Sequence, residues 1–203
     1  QWYTSLDDVP KCSGYSFILA NEFFDALPIK QYTRDQNQER MVHIDNQNNL
    51  AFSTPDINNI HEVCPAYQII MNNIKQRLQN APGAVLIIDY GDESINRTTN
   101  TLQAVRDHKI AHIFDTPGTV DISHQVDFNA LRLLVESSMV CYPLLTQGEF
   151  LQQLGIDLRL QQLLLGATAK QRMQLLSACA RLISPQHMCE IFKVFYAVSR
   201  YVK

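Results

Sequence analysis

Apolar positions along this chain follow three different spacings. Ala84-Val85-Leu86-Ile87-Ile88 is apolar at every position, β-branched and uncharged, the pattern of a parallel strand covered on both faces. Tyr15-Ser16-Phe17-Ile18-Leu19 reads as a second buried strand, over 15–20, and 191–198 closes the chain as a third. Alternation of apolar and polar residues marks Ile29-Lys30-Gln31-Tyr32-Thr33 and Met41-Val42-His43-Ile44, with Leu50-Ala51-Phe52 beyond an Asn/Gln-rich turn. That predicts a half-exposed hairpin or three-stranded meander over 29–53. Val63, Tyr67, Ile70, Met71, Ile74 and Leu78 recur at helical spacing and predict a helix over 61–80, ended by Pro82-Gly83.

Residues 1–14 read as a loop with a short helical turn at Ser5-Leu6-Asp7-Asp8, and 92–120 as a loop with a short helix near 102–108. Helices are predicted over 127–136, 146–154, 157–165 and 168–183. Asp127 is placed as a helix N-cap, and Thr146 with Glu149 fits a capping box. Helices alternating with buried strands define an α/β fold, doubly wound, with a hairpin insertion.

Composition narrows the function classes. The chain has 203 residues, 46% hydrophobic and 18% charged, with a net charge of −3. A pI near 6.1 and scattered Lys and Arg give no electrostatic case for a nucleic-acid partner. No apolar run reaches the roughly 20 residues needed to insert in a membrane. Five widely spaced cysteines (12, 64, 141, 179, 189) predict free thiols in a reducing compartment. Asn96-Arg97-Thr98 matches a glycosylation acceptor that such a compartment would not use. The chain begins at Gln1 and reads as a piece of a longer protein.

Candidate chemistry concentrates where the first strand ends, at Asn21-Glu22-Phe23-Phe24-Asp25-Ala26-Leu27-Pro28. Open α/β sheets place ligands at the carboxyl ends of their strands. Glu22 and Asp25 beside two rings suit a cationic guest such as a guanidinium or a sulfonium. A charged turn with two core phenylalanines accounts for the same residues without a function. Asp89-Tyr90-Gly91 is a second polar strand end. His108 and His112 stand four apart but lack the HExxH pattern and a third ligand, so no metal is expected. The seven glycines are isolated and none forms a GxG turn.

The polar strand end and a series of further motifs together resemble the MidA-like methyltransferases. These are S-adenosylmethionine-dependent enzymes related to the mitochondrial complex I assembly arginine methyltransferase. The agreement runs in order through Ser5-Leu6-Asp7-Asp8-Val9-Pro10, residues 21–28, Asp89-Tyr90-Gly91, His108-Lys109, Pro117-Gly118-Thr119, Asp121 and Val126-Asp127-Phe128. It continues through Thr146-Gln147-Gly148-Glu149, Leu154-Gly155-Ile156 and Phe192-Lys193-Val194. Two departures stand out: Gln125 where relatives often carry His, and Cys189 where a Gly often follows Met188.

The resemblance implies a class I methyltransferase domain with a Rossmann-like sheet, incomplete at its N-terminus. Residues 1–203 would be the C-terminal two-thirds of one domain, with the insertion at 29–53 and a helical region at 127–185. Strand 15–20 would be the fourth of seven and 84–88 the fifth, with 191–198 in the closing pair. The glycine-rich cofactor loop would lie upstream. Glu22 and Asp25 would hold the substrate guanidinium as catalytic carboxylates, and Asn21 with Asp7 and Asp8 would bind S-adenosylmethionine. Phe23 and Phe24 (one doubling as a core anchor), Asp89, Tyr90 and Asp121 would line the substrate pocket. The implied partner is a protein substrate, a complex I subunit among the candidates. Homodimer and monomer stay open, as do cytoplasm, the expected location, and mitochondrial matrix. The alternative from another class is an inactive, truncated domain that docks a partner.

Overall fold

The computed structural model describes residues 1–11, 14–54, 59–79, 81–93 and 100–200; Cys12 and Asn96-Arg97-Thr98 fall outside them. A 3-10 turn at Leu6–Asp8 precedes β1 (Ser16–Asn21). The insertion follows, as β2 (Lys30–Thr33), β3 (Val42–Ile44), β4 (Leu50–Phe52) and β5 (Ile60–Val63). Next come α1 (Pro65–Gln79), β6 (Gly83–Asp92), β7 (Gln103–Arg106), β8 (Lys109–Ala111), β9 (Asp121–Ser123), β10 (Val126–Asp127) and α2 (Phe128–Val135). The last part holds β11 (Met139–Cys141), β12 (Leu145–Thr146), α3 (Gln147–Gln153), α4 (Ile156–Leu165), α5 (Ala169–Ile183), α6 (Met188–Ile191) and β13 (Phe192–Ser199).

The main sheet runs β1-β6-β13-β11, with β10 added to β6 and β12 to β13. β1 and β6 are parallel, Ser16 opposite Gly83 through Asn21 opposite Ile88. β13 returns antiparallel to β6, Phe195 opposite Ile87 and Ala197 opposite Val85. This register puts Val85, Ile87, Phe195 and Ala197 on one face, all fully buried beneath Tyr67, Met71 and Ile74 of α1 and Leu131 and Val135 of α2. Each such large side chain contributes roughly 1.5–3 kcal/mol by leaving water.

Side-chain caps mark the starts of α2, α3 and α5. Asp127 accepts a hydrogen bond from the Ala130 amide at 2.9 Å and caps α2. Thr146 and Glu149 form the expected reciprocal capping box on α3. Cys189 makes no tight turn; it lies in α6 and fills the space left by Gly148, where an added Cβ would meet its sulfur at 2.2 Å. Among the described residues Cys64, Cys141, Cys179 and Cys189 are free thiols.

Four expectations need correction. The 102–108 helix is a hairpin, β7–β8, because Asp107 and His108 both take positive φ (51° and 60°) and make a two-residue turn. His108 therefore sits in the hairpin turn and His112 just past the end of β8, and the two share no helix face. The first turn predicted for the 61–80 helix is β5, which pairs with β2; the helix starts at Pro65. The insertion contains the expected hairpin, β3 with β4, but no three-stranded meander: β2 pairs with the distant β5 and only bridges to Glu39 ahead of β3. Finally, β1 is buried on one face only: Phe17 and Leu19 are 79% and 67% exposed. Its apolar run matches a two-faced strand, but no described element covers its second face.

Candidate active site

The carboxyl ends of β1 and β6 lie together because the two strands are parallel. The Glu22 amide extends the ladder by donating to the Ile88 carbonyl at 2.9 Å, and the chain then reverses. Glu22 makes that reversal with φ +46°, a left-handed conformation costing about 1–2 kcal/mol for a residue with a Cβ.

Asp89, at the end of β6, holds the turn. Its Oδ2 accepts the amides of Phe23, Phe24 and Asp25 at 3.1, 2.9 and 3.3 Å. Its Oδ1 accepts the Tyr90 amide at 2.9 Å. The carboxylate is fully buried. Three successive amides converging on one oxygen form an anion-binding concavity, here filled by a side chain of the protein itself. Asp89 thus occupies the floor beneath the predicted pocket and fixes the backbone of the predicted catalytic loop.

The two phenylalanines divide their work. Phe24 is fully buried and meets Tyr67 edge-on at 5.7 Å. Phe23 stays 46% exposed and stands at 87° to the Phe24 ring. Glu22 and Asn21 are exposed and Asp25 is half-buried at the same rim.

Negative charge accumulates here. Burial, and then the neighbouring charge of Asp25, push the Asp89 carboxyl up to about 6, against the pull of its amide donors. Burial and then the charge of Glu22 raise Asp25 as well; His124 and the Ala26 amide oppose the rise, and Asp121 adds to it. Carboxylates that repel one another gain when a cation enters between them.

The remaining wall comes from 121–127. The His124 amide donates to the Asp25 carbonyl at 3.0 Å. Tyr90 Oη donates to Ser123 Oγ at 2.8 Å and accepts from Gln103 Nε2 at 2.7 Å, so Tyr90 braces the wall. Gly91 lies opposite Val126 in the β6–β10 pair, and an added Cβ would stand 2.1 Å from the Val126 carbonyl oxygen.

Of the residues predicted for the site, Glu22, Asp121 and Tyr90 lie near enough to Asp25 to interact with it electrostatically, Asn21 and Phe23 adjoin Glu22 in the same turn, and Phe24 and Asp89 are buried behind it. Asp7 and Asp8 do not join them. Asp7 accepts from Asn73, and Arg77 donates to the Leu6 carbonyl, which holds the 3-10 turn near the C-terminal end of α1. That end feeds the start of β6, so the two aspartates sit toward the amino ends of the parallel strands. Sequence reasoning passed over His124, which is buried against Tyr67. Its short polar context resembles a loop, and only β9 and β10 turn it inward.

A parallel strand pair continued by a long antiparallel strand, with acidic residues at the carboxyl ends, matches the fourth, fifth and closing strands of a class I methyltransferase sheet. The chain belongs to the family described as "Putative S-adenosyl-L-methionine-dependent methyltransferase", whose model matches residues 1–144. It is 36% identical over 212 residues to "Protein arginine methyltransferase NDUFAF7, mitochondrial" of Danio rerio, covering 96% of this chain and 49% of that protein. The protein of the same name in Homo sapiens is 34% identical, covering 96% and 47%. The chain thus spans about half the length of these curated relatives. A Burkholderia thailandensis protein solved with S-adenosyl-homocysteine superposes with a TM-score of 0.80, at 24% identity, over 98% of this chain and 56% of that one. A native structure from the same organism gives 0.78, at 25% identity, over 96% and 57%.

Proposed function

We propose that the whole protein transfers a methyl group from S-adenosylmethionine to an arginine side chain of a protein substrate, with Glu22 and Asp25 as the catalytic carboxylates. The observation that carries this reading is the Asp89-bound turn, which presents Glu22 and Asp25 at the ends of two parallel strands. The names of the curated relatives support arginine as the acceptor and favour a mitochondrial location over the cytoplasm. A respiratory complex I subunit as the substrate rests on the MidA-like resemblance.

The local residues fit the charged end of the cofactor. Asn21 and Glu22 are exposed at the strand end beside Phe23, a polar and aromatic setting for an ammonium or sulfonium group. None of the seven glycines forms a GxG turn, so in this reading the nucleoside end is held with a segment outside this chain. Asp7 and Asp8 are not assigned to the adenine, because they lie toward the other end of the sheet. When bound, S-adenosylmethionine supplies an electrophilic methyl, and the electron pair of the broken carbon–sulfur bond returns to sulfur.

A guanidinium is a poor nucleophile because its charge is delocalised. Glu22 and Asp25 each take N–H donors of the guanidinium, localise its charge on two nitrogens and leave the third aimed outward. Asp25, whose carboxyl is raised from its ordinary value by burial and then by the Glu22 charge, accepts the proton that the substrate nitrogen loses. Phe23, Tyr90 and Asp121 border the space around the acceptor. The inactive docking module is the weaker reading, since a scaffold gains nothing from a strained, exposed Glu22.

The test uses the full-length protein. S-adenosylhomocysteine is titrated calorimetrically into wild type and Glu22→Gln, and methyl incorporation into an arginine-containing substrate is followed by mass spectrometry. Retained cofactor binding with lost methyl transfer is the expected result. Full methyl transfer by Glu22→Gln removes the catalytic role, and failure of the wild type to bind the cofactor favours the docking module.

A further inference from the structure

A groove of about 530 Å³ opens beside Asp25, between the insertion and the segment leading to β9. Asp25 is part of its lining. Its outer walls are apolar and come from three strands far apart in sequence: Val42 of β3, Leu50 of β4 and Ile122 of β9. These side chains stay 50%, 37% and 43% exposed. Apolar side chains converging around one opening mark a contact surface more than scattered exposure does.

The floor of the groove is built and held. The Arg40 guanidinium stacks 3.6 Å over the Phe52 ring. Its Nε donates to the Thr54 carbonyl and its Nη1 to Gln31 Oε1, both at 2.8 Å. Phe52 in turn meets Phe114 at 4.8 Å, which joins the insertion to the opposite wall. Arg40 is thereby committed to the scaffold, and the other cation at the lining, Lys30, is paired with Glu39 at 3.1 Å. Around Asp25 the charge is mainly negative: Glu22 and Asp121 raise its carboxyl, against the opposing His124.

One ligand chemistry matches an acidic group set among apolar walls: a cationic side chain with apolar neighbours. An acyl chain with an anionic head would meet Asp25 unfavourably, and free arginine would leave the apolar walls wet. The volume lies within the range of sites that bury a ligand the size of a few side chains. The groove is also continuous with the candidate active site, since Asp25 belongs to both. We infer that the insertion is a substrate-reading element: the groove seats apolar residues that flank the target arginine of an extended protein segment. This inference rests on the arginine-methyltransfer reading above and deepens it, by making sequence context next to the arginine a determinant of substrate choice.

The test takes the full-length protein saturated with S-adenosylhomocysteine, and two fluorescent nonapeptides with one central arginine. One is flanked on both sides by leucines and the other by serines. Anisotropy titrations should give at least tenfold tighter binding of the leucine peptide. Val42→Asp and Leu50→Asp, at exposed rim positions, should each bring the leucine peptide down to the serine level and leave the serine peptide unchanged. Val42→Ser checks the same effect without an added charge. Equal binding of the two peptides, binding of neither, or a preference that survives all three variants overturns the inference. Methyl transfer measured in parallel with S-adenosylmethionine separates it from the reading on which it rests. Equal methylation of both peptides sinks the groove and keeps the activity; a groove-dependent preference without methyl transfer does the reverse.

Discussion

Asp89 and Phe24 lie 65 residues apart in sequence, and the Asp89 carboxylate accepts the Phe24 amide at 2.9 Å as the centre of a four-amide cluster. One buried side chain at the end of β6 thus sets the backbone of the loop after β1. Asp89→Asn keeps the shape but turns an NH2 toward amides that need an acceptor. A buried donor left unsatisfied costs about 1–3 kcal/mol. Urea denaturation of the full-length variant at pH 7 should show a loss of that size; an unchanged midpoint would mean that the cluster does not hold the loop.

The same carboxyl makes a pH prediction. Its folded value, about 6, lies above the ordinary 3.8. The folded state therefore holds the proton more tightly than the unfolded state. The stabilising contribution is complete below about pH 4 and is lost as pH rises through about 6. A shift from 3.8 to about 6 is worth about 3 kcal/mol at 1.36 kcal/mol per unit. The stability gap between wild type and Asp89→Asn should accordingly widen as pH falls from 7 to 4. A gap that stays constant over this window, measured by urea denaturation at each pH, refutes the assignment.

Glu22 separates stability from activity. Its φ of +46° is strained for glutamate and ordinary for glycine. Glu22→Gly should leave stability unchanged or raise it by up to about 1 kcal/mol, while methyl transfer by the full-length protein is lost. Thermal melting and a methylation assay on the same preparation check both halves. A destabilised variant would show that the Glu22 side chain is structural.

Gly91→Ala tests the site's far wall. The new methyl would stand 2.1 Å from the Val126 carbonyl oxygen, and the φ of +156° adds strain. The β6–β10 pairing should open, at a cost of about 1–3 kcal/mol for overpacking. Hydrogen exchange should then rise at Val126 and Asp127 ahead of the core strands. Unaltered protection there would show that β10 does not depend on close approach to Gly91.

Sequence pattern alone specifies the three long strands of the main sheet, β1, β6 and β13, most helices and the caps of α2 and α3. Continuous apolar runs, 3.6-residue periodicity and the Asp127, Thr146 and Glu149 capping chemistry are local, so the chain carries them wherever it folds. It also located the acidic strand end at Glu22 and Asp25, because a polar turn after an apolar run is visible without a partner. Features that depend on neighbours distant in the chain are set by tertiary contacts. The β7–β8 hairpin needed the left-handed pair Asp107 and His108 and the support of β9. The split of Phe23 from Phe24 depended on which ring meets Tyr67. Asp89 lies in a polar strand end that resembles pocket lining, and only the fold sets its oxygen against three amides from another strand's loop. The family resemblance implies Asp7 and Asp8 as cofactor ligands, whereas Asn73 and Arg77 hold their turn toward the other end of the sheet. Spacing encodes periodic elements, but side-chain hydrogen bonds across 65 residues are set only when parallel strands bring their ends together.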